Sequence, residues 1–160
     1  MTGGTGRIGR NLPAAVAVGV AVGAVVLASL YVVKAAFLIV VLGFAGLGIH
    51  ELARAVAARD IRVPEVPLLA GMTVMVAGAY WGGPVFLLGA FAVTVMVLLA
   101  WRMFQGAEGY LRDATATVFI AVYPALLAGF APLLLRPEDG AHRIVIFVAV
   151  TICSDIGGYF

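Results

Sequence analysis

The chain has 160 residues, 64% of them hydrophobic and 11% charged, where a soluble globular domain carries roughly 25% charged and about 45–50% apolar residues. So large an apolar excess must face lipid or other helices, which excludes a water-soluble core and indicates an integral membrane protein. A net charge of +2 without any basic block argues against nucleic-acid binding, and a single cysteine, Cys153, excludes an intrachain disulfide.

Residues 1–11 read as a cytoplasmic N-terminal tail, and 12–160 as one transmembrane helical domain. Gly4, Gly6 and Gly9 match the dinucleotide pattern GxGxxG. That motif needs a strand before it and a helix after it within a βαβ unit, and neither room nor sequence for the strand exists here. A cleaved signal peptide is the rival reading, with Arg7 and Arg10 as its basic end. The apolar run that follows is longer than the usual core of about 7–15 residues.

Six apolar stretches follow, at 12–33, 35–49, 66–81, 84–101, 114–135 and 144–160. A spanning helix needs roughly 20 apolar residues. The first and fifth stretches meet that length, and the second is expected to borrow residues before Lys34, the only lysine. In the first stretch Gly19 and Gly23 form a GxxxG pair, expected to pack within the bundle, with a homodimer contact as the alternative. After the second stretch His50-Glu51 begins like the zinc pattern HExxH, but Arg54 stands where the second histidine would, and a cation there repels a metal. His142 falls in a loop on the opposite side. Residues 53–59 read as a helix leaving the membrane, with Glu51 and Arg54 one turn apart. Pro64 and Pro67 mark the turn into the third stretch.

The later stretches lack the alternation of a β-barrel strand. An unpaired peptide group in hydrocarbon costs several kcal/mol, so continuous apolar runs become helices despite their valine content. Tyr31, Tyr80, Trp81, Trp101 and Tyr110 fall near span ends, as in interfacial aromatic belts. Arg136 to Gly140 reads as a solvated external turn. No internal repeat is visible. The fold class is therefore all-α, a polytopic transmembrane helix bundle of about six spans. With the N-terminus cytoplasmic, seven arginines (Arg7, Arg10, Arg54, Arg59, Arg62, Arg102, Arg112) lie inside. Three cations (Lys34, Arg136, Arg143) lie outside, as the excess of basic residues in cytoplasmic loops requires. The last stretch then ends near the cytoplasmic side.

That end carries Asp155, which follows the uncharged apolar run 144–153. A carboxylate in a membrane helix costs at least about 2.5 kcal/mol at the helix centre and usually faces an ion, a cation or a cavity. Gly157 and Gly158 permit close backbone approach and a break in the helix. A carboxylate at such a break suits a divalent cation that is shared with phosphate oxygens. Exposure to water at the end of a helix is the alternative.

The segment Cys153-Ser154-Asp155-Ile156-Gly157-Gly158-Tyr159-Phe160 resembles the Asp-x-Gly-Ala/Gly-Tyr segment of bacterial CDP-diacylglycerol synthases, the phosphatidate cytidylyltransferases. The early spans that close on Glu51, the spacing of the later spans, and Arg112-Asp113 before the fifth are similar to that family too. The resemblance covers the whole chain but only about the amino-terminal half of the family's length. It implies a Mg²⁺-dependent enzyme of the cytoplasmic membrane that joins CTP and phosphatidate into CDP-diacylglycerol and pyrophosphate. It further implies that Asp155 is a catalytic and metal-binding residue, and that Ser154, Gly157, Gly158 and Tyr159 shape the substrate pocket. The family continues with a basic loop and further helices bearing acidic and basic residues, so residues 1–160 alone are expected to be inactive. A small ion-coupled transporter using Asp155, and a structural membrane protein packing through its glycine faces, are the competing readings. The transporter reading expects inverted repeats and paired broken helices, and neither is visible.

Overall fold

A computed structural model describes residues 12–32 and 34–158. The N-terminal tail with its GxGxxG pattern and Tyr159 lie outside the described residues. Among the described residues every regular element is helical: α1 (Leu12–Val32), α2 (Lys34–Ala57), α3 (Glu65–Met103), α4 (Tyr110–Ile120), a wider π-type turn over Ala121–Leu126, α5 (Phe130–Leu135) and α6 (Gly140–Gly157). The cause is the one expected: only a helix satisfies its own peptide groups within a continuous apolar run. Three helices are long and apolar enough to cross a membrane, Lys34–Ala57, Glu65–Met103 and Tyr110–Leu135, and a shorter apolar helix covers Ala17–Val32. The chain is a membrane-embedded helix bundle.

α3 carries the third and fourth apolar stretches and folds back on itself. Gly83, at φ 78° and ψ −165°, interrupts the helical backbone just before Pro84. The two arms then lie against each other: a Cβ on Gly71 would strike the Thr94 side chain, and one on Gly78 would strike the Phe86 ring. Small residues on one arm admit the other at close range. Pro124 lies inside the π-type turn of the next span, where its missing N–H removes one helical donor and favours a wider turn.

The main core is built from α2, both arms of α3 and the turn after α4, with Ile49, Leu68, Met75, Leu87, Leu98 and Ile120 fully buried. A smaller cluster joins Leu30, Phe37, Leu135 and Ile144 from α1, α2, α5 and α6. Helix ends differ from the hydropathy pattern. α2 gains its length by running on to Ala57 rather than by borrowing residues before Lys34. α4 starts at Tyr110, so Asp113 lies within its first turn. Gly19 and Gly23 do not serve the bundle as expected, because nothing lies within 4 Å of a Cβ on either. Glu51 is exposed and, among the described residues, forms no ion pair with Arg54.

The connections gather at two faces. At one, the Lys34 ammonium donates to the carbonyls of Pro137 and Glu138 at 3.0 and 3.2 Å. The Arg136 guanidinium there rests beside Gly83. Arg143 donates to Asp139 Oδ2 at 2.9 Å, and this hydrogen bond holds the Asp139 carboxyl below its ordinary pKa. Gly140 permits the tight turn into α6, since a Cβ there would collide with the Leu135 carbonyl. At the other face lie the 58–64 and 104–109 connections, where Arg112 donates to the Asp60 carbonyl. Arg54, Arg59, Arg62, Arg102 and Arg112 therefore sit at the second face, opposite Lys34, Arg136 and Arg143.

The φ of Gly83, with its extended ψ, lies in a region essentially closed to residues with a Cβ, at a cost of about 1–3 kcal/mol. Gly83→Ala is expected to lower the thermal unfolding midpoint in detergent. Gly89→Ala, on a helical position with open space around it, should leave the midpoint unchanged or raise it. Equal midpoints for Gly83→Ala and wild type would contradict the strained turn.

Candidate functional site

The arginine-rich face contains a cleft of about 780 Å³ between the end of α2, the 60–65 segment, the end of α3 and the start of α4. Its floor is an ion pair. Arg102, at the last turn of α3, donates from Nε to Asp113 Oδ2 at 2.8 Å, and both side chains are 3% exposed. Its other nitrogens donate to the carbonyls of Gly106 and Glu108 at 2.8 and 2.6 Å, so one guanidinium holds the whole 104–109 connection. Gly109 enters α4 at φ 68°. Tyr110 is half-buried at the start of α4, with the Arg102 guanidinium 6.0 Å from its ring centroid.

Around that floor the charges divide into paired and free. His50 Nδ1 lies 2.7 Å from Glu65 Oε1, which gives the histidine a carboxylate partner. Arg112 Nε lies 3.8 Å from Asp113 Oδ1 and its side chain is 55% exposed. Arg54 and Arg62 line the cleft and form no ion pair among the described residues. Asp113 Oδ1 and Thr117 Oγ1, one turn further into the bundle, are buried and accept or donate no hydrogen bond within the described residues. The cleft thus offers guanidinium groups at its mouth and the Arg102–Asp113 pair at its base.

The sequence-predicted site residues lie elsewhere. Ser154, Asp155 and Gly157 occupy the last turn of α6, with Gly158 just after it, all exposed. α6 leaves the Gly140 turn and packs on α5 and α1 through Ala141, Ile144 and Val145 of its first two turns. Its helix does not break before Gly157, and the Gly158 N–H still donates to the Ser154 carbonyl at 2.9 Å. Ser154, Asp155, Gly157 and Gly158 therefore stay together on one helix end, but they are not brought into the cleft. Among the described residues no group of three His, Cys, Asp or Glu side chains comes together. At the end of α6, Asp155 presents a single exposed carboxylate. That fits a site in which one or two carboxylates act with phosphate oxygens, not an all-protein cage.

Sequence reasoning noted Arg112-Asp113 without giving either a role, and missed Arg102 as their partner. Eleven residues separate Arg102 from Asp113, beyond any helical spacing. The available signal was a lone arginine at the end of an apolar run and a lone aspartate at the start of the next.

The chain as a whole can now be compared with known proteins. Residues 13–160 match the cytidylyltransferase family. The chain belongs to that family. It is 36% identical over 176 residues to a phosphatidate cytidylyltransferase of Mycobacterium leprae, an alignment covering 99% of this chain and 56% of that protein. It is 33% identical to proteins of the same name from Mycobacterium bovis and Mycobacterium tuberculosis, covering 97% of this chain and 55% and 51% of theirs. The chain thus spans about half the length of the curated relatives it matches. No solved structure matches it.

Removing Arg102 alone leaves the buried Asp113 with only the half-exposed Arg112, 3.8 Å away, as a charged partner, and breaking a buried pair costs about 3–5 kcal/mol. Arg102→Met is expected to be strongly destabilising in a detergent denaturation series, and Arg102→Met with Asp113→Leu to recover most of the loss. A double variant no more stable than the single one would show that the pair is not what the cleft rests on.

Proposed function

We propose that this chain is the amino-terminal membrane part of a phosphatidate cytidylyltransferase, with CTP and phosphatidate as the substrates of the whole enzyme. The similarity along the whole chain to three mycobacterial proteins of that name carries this reading. The phosphate of phosphatidate attacks the α-phosphorus of CTP, forming a new P–O bond as pyrophosphate leaves. The arginine-rich face is assigned to the cytoplasm by the excess of basic residues there, which puts the cleft and the end of α6 on the side where CTP is found. The membrane is the cytoplasmic one.

Asp155 is proposed as one carboxylate of a Mg²⁺ site, with Ser154, Gly157, Gly158 and Tyr159 shaping the pocket around it. When bound, the ion neutralises charge on the transferring and leaving phosphates. Asp155 itself holds a fixed negative charge at the helix end, and the glycines beside it leave room for phosphate oxygens. Residues 1–160 supply one such carboxylate and are proposed to be inactive alone. A second copy is proposed to pack on the open Gly19–Gly23 face of α1. The family match leaves the transport and purely structural readings without support.

The test joins this chain to the carboxyl-terminal part of the M. leprae relative and measures CDP-diacylglycerol formed from CTP and phosphatidate. The joined chain is expected to be active, Asp155→Asn to lose roughly 100-fold or more, and residues 1–160 alone to make no product. Equal rates for Asp155→Asn and its parent would remove Asp155 from the site. Product formed by residues 1–160 alone would overturn the partial-enzyme reading.

A further inference from the structure

The arginine cleft does not end at its polar rim. A second groove of about 810 Å³ runs down the outer side of α4, and the two share Ile61, Gly109 and Arg112 as walls. Thr115, Ala116 and Phe119 continue the groove from Arg112, at the three- and four-residue spacing that keeps side chains on one face of a helix. Phe119 stacks on Tyr123 with ring centroids 5.7 Å apart, and both rings are exposed. The stripe from Arg112 to Tyr123 is about 16 Å long at 1.5 Å per residue.

The chemistry changes abruptly along this path. Thr115 is the polar side chain on the stripe between Arg112 and Tyr123, and its hydroxyl already donates to the Leu111 carbonyl at 2.7 Å. Tyr110, which carries the other hydroxyl in the groove walls, donates to the Leu99 carbonyl, so the hydroxyl hydrogens of the groove are both taken and its walls beyond Arg112 are otherwise apolar. Above it, pairing with Arg102 and with His50 takes up Asp113 and Glu65, while Arg54, Arg62 and Arg112 face Asp60 and Glu108. Arg112 stands at the junction, with a half-exposed guanidinium above an apolar track.

We infer that Arg112 and the outer face of α4 form a binding site for a phospholipid with a phosphomonoester headgroup. The phosphate rests on Arg112 at the cleft mouth, and one acyl chain lies along Ala116 and Phe119. Arg54 and Arg62 add charge at the mouth, which favours a dianionic monoester over a phosphodiester or a zwitterion. The site opens sideways to the bilayer, so the lipid reaches it without leaving the membrane. The inference rests on the proposed function for naming this lipid class, but its readout is binding, not turnover.

Native mass spectrometry of the 160-residue chain, released from detergent with equal amounts of dioleoyl phosphatidate and phosphatidylcholine, tests it. Wild type is expected to retain phosphatidate preferentially. Arg112→Gln should lower that retention about tenfold, while Arg143→Gln, on the opposite face, should leave it unchanged. Phe119→Ser should weaken retention of dioleoyl phosphatidate more than of dihexanoyl phosphatidate, as contact with the acyl chain requires. No preference over phosphatidylcholine would overturn the site, as would equal losses in Arg112→Gln and Arg143→Gln. Displacement of the lipid by CTP at equal concentration would assign the cleft mouth to the nucleotide instead. Full activity of Asp155→Asn in the joined enzyme, with lipid retention in wild type as expected, would count against the proposed catalytic role of Asp155 and leave this site standing.

Discussion

One guanidinium organises the polar end of this bundle. Arg102 stands at the end of a long apolar helix, where an unpaired charge would be costly, and meets Asp113 at 2.8 Å while closing two carbonyls of the 104–109 connection. A buried pair is weak evidence for net stability, because desolvation offsets much of the attraction. Its effect here is on register: the end of the α3 hairpin, the connection and the first turn of α4 hold one relative position. The cleft floor follows from that position, and so does the outward placement of Arg112 beside the buried Asp113.

Much of the architecture was legible in the sequence. Each apolar stretch has a helical counterpart, because hydrocarbon leaves the backbone few alternatives. Gly82-Gly83-Pro84 between two apolar runs marked the turn that Gly83 makes by its backbone angles. The helix ends were less legible. The extension of α2 past its apolar run to Ala57 was read from residues 53–59, but hydropathy did not place the start of α4 at Tyr110, before Asp113. GxxxG in α1 suggested packing that nothing in the bundle provides. A spacing pattern says that close approach is allowed, not which helix approaches.

The polar site was the least legible part. Asp155 stood out as a lone carboxylate after an apolar run, and it lies on the exposed last turn of α6. Arg102 and Asp113 were visible as residues, but their pairing depends on how two helices meet across a connection, which no local period encodes. The outcome is two polar features: a helix end with one carboxylate, and a cleft with several guanidinium groups. Charge complementarity underlies the different partners we propose for them, a cation for the first and phosphate for the second.

The proposed function depends on these two features sharing one side of the membrane. In a Cys153→Ser background, single cysteines at Arg59, Gly158 and Asp139 can be challenged with a membrane-impermeant maleimide in right-side-out and inside-out vesicles. The proposed orientation predicts that cysteines at 59 and 158 react only in inside-out vesicles and that the one at 139 reacts only in right-side-out ones. Reaction at 158 from the same side as 139 would separate the carboxylate from the cleft and contradict the arrangement.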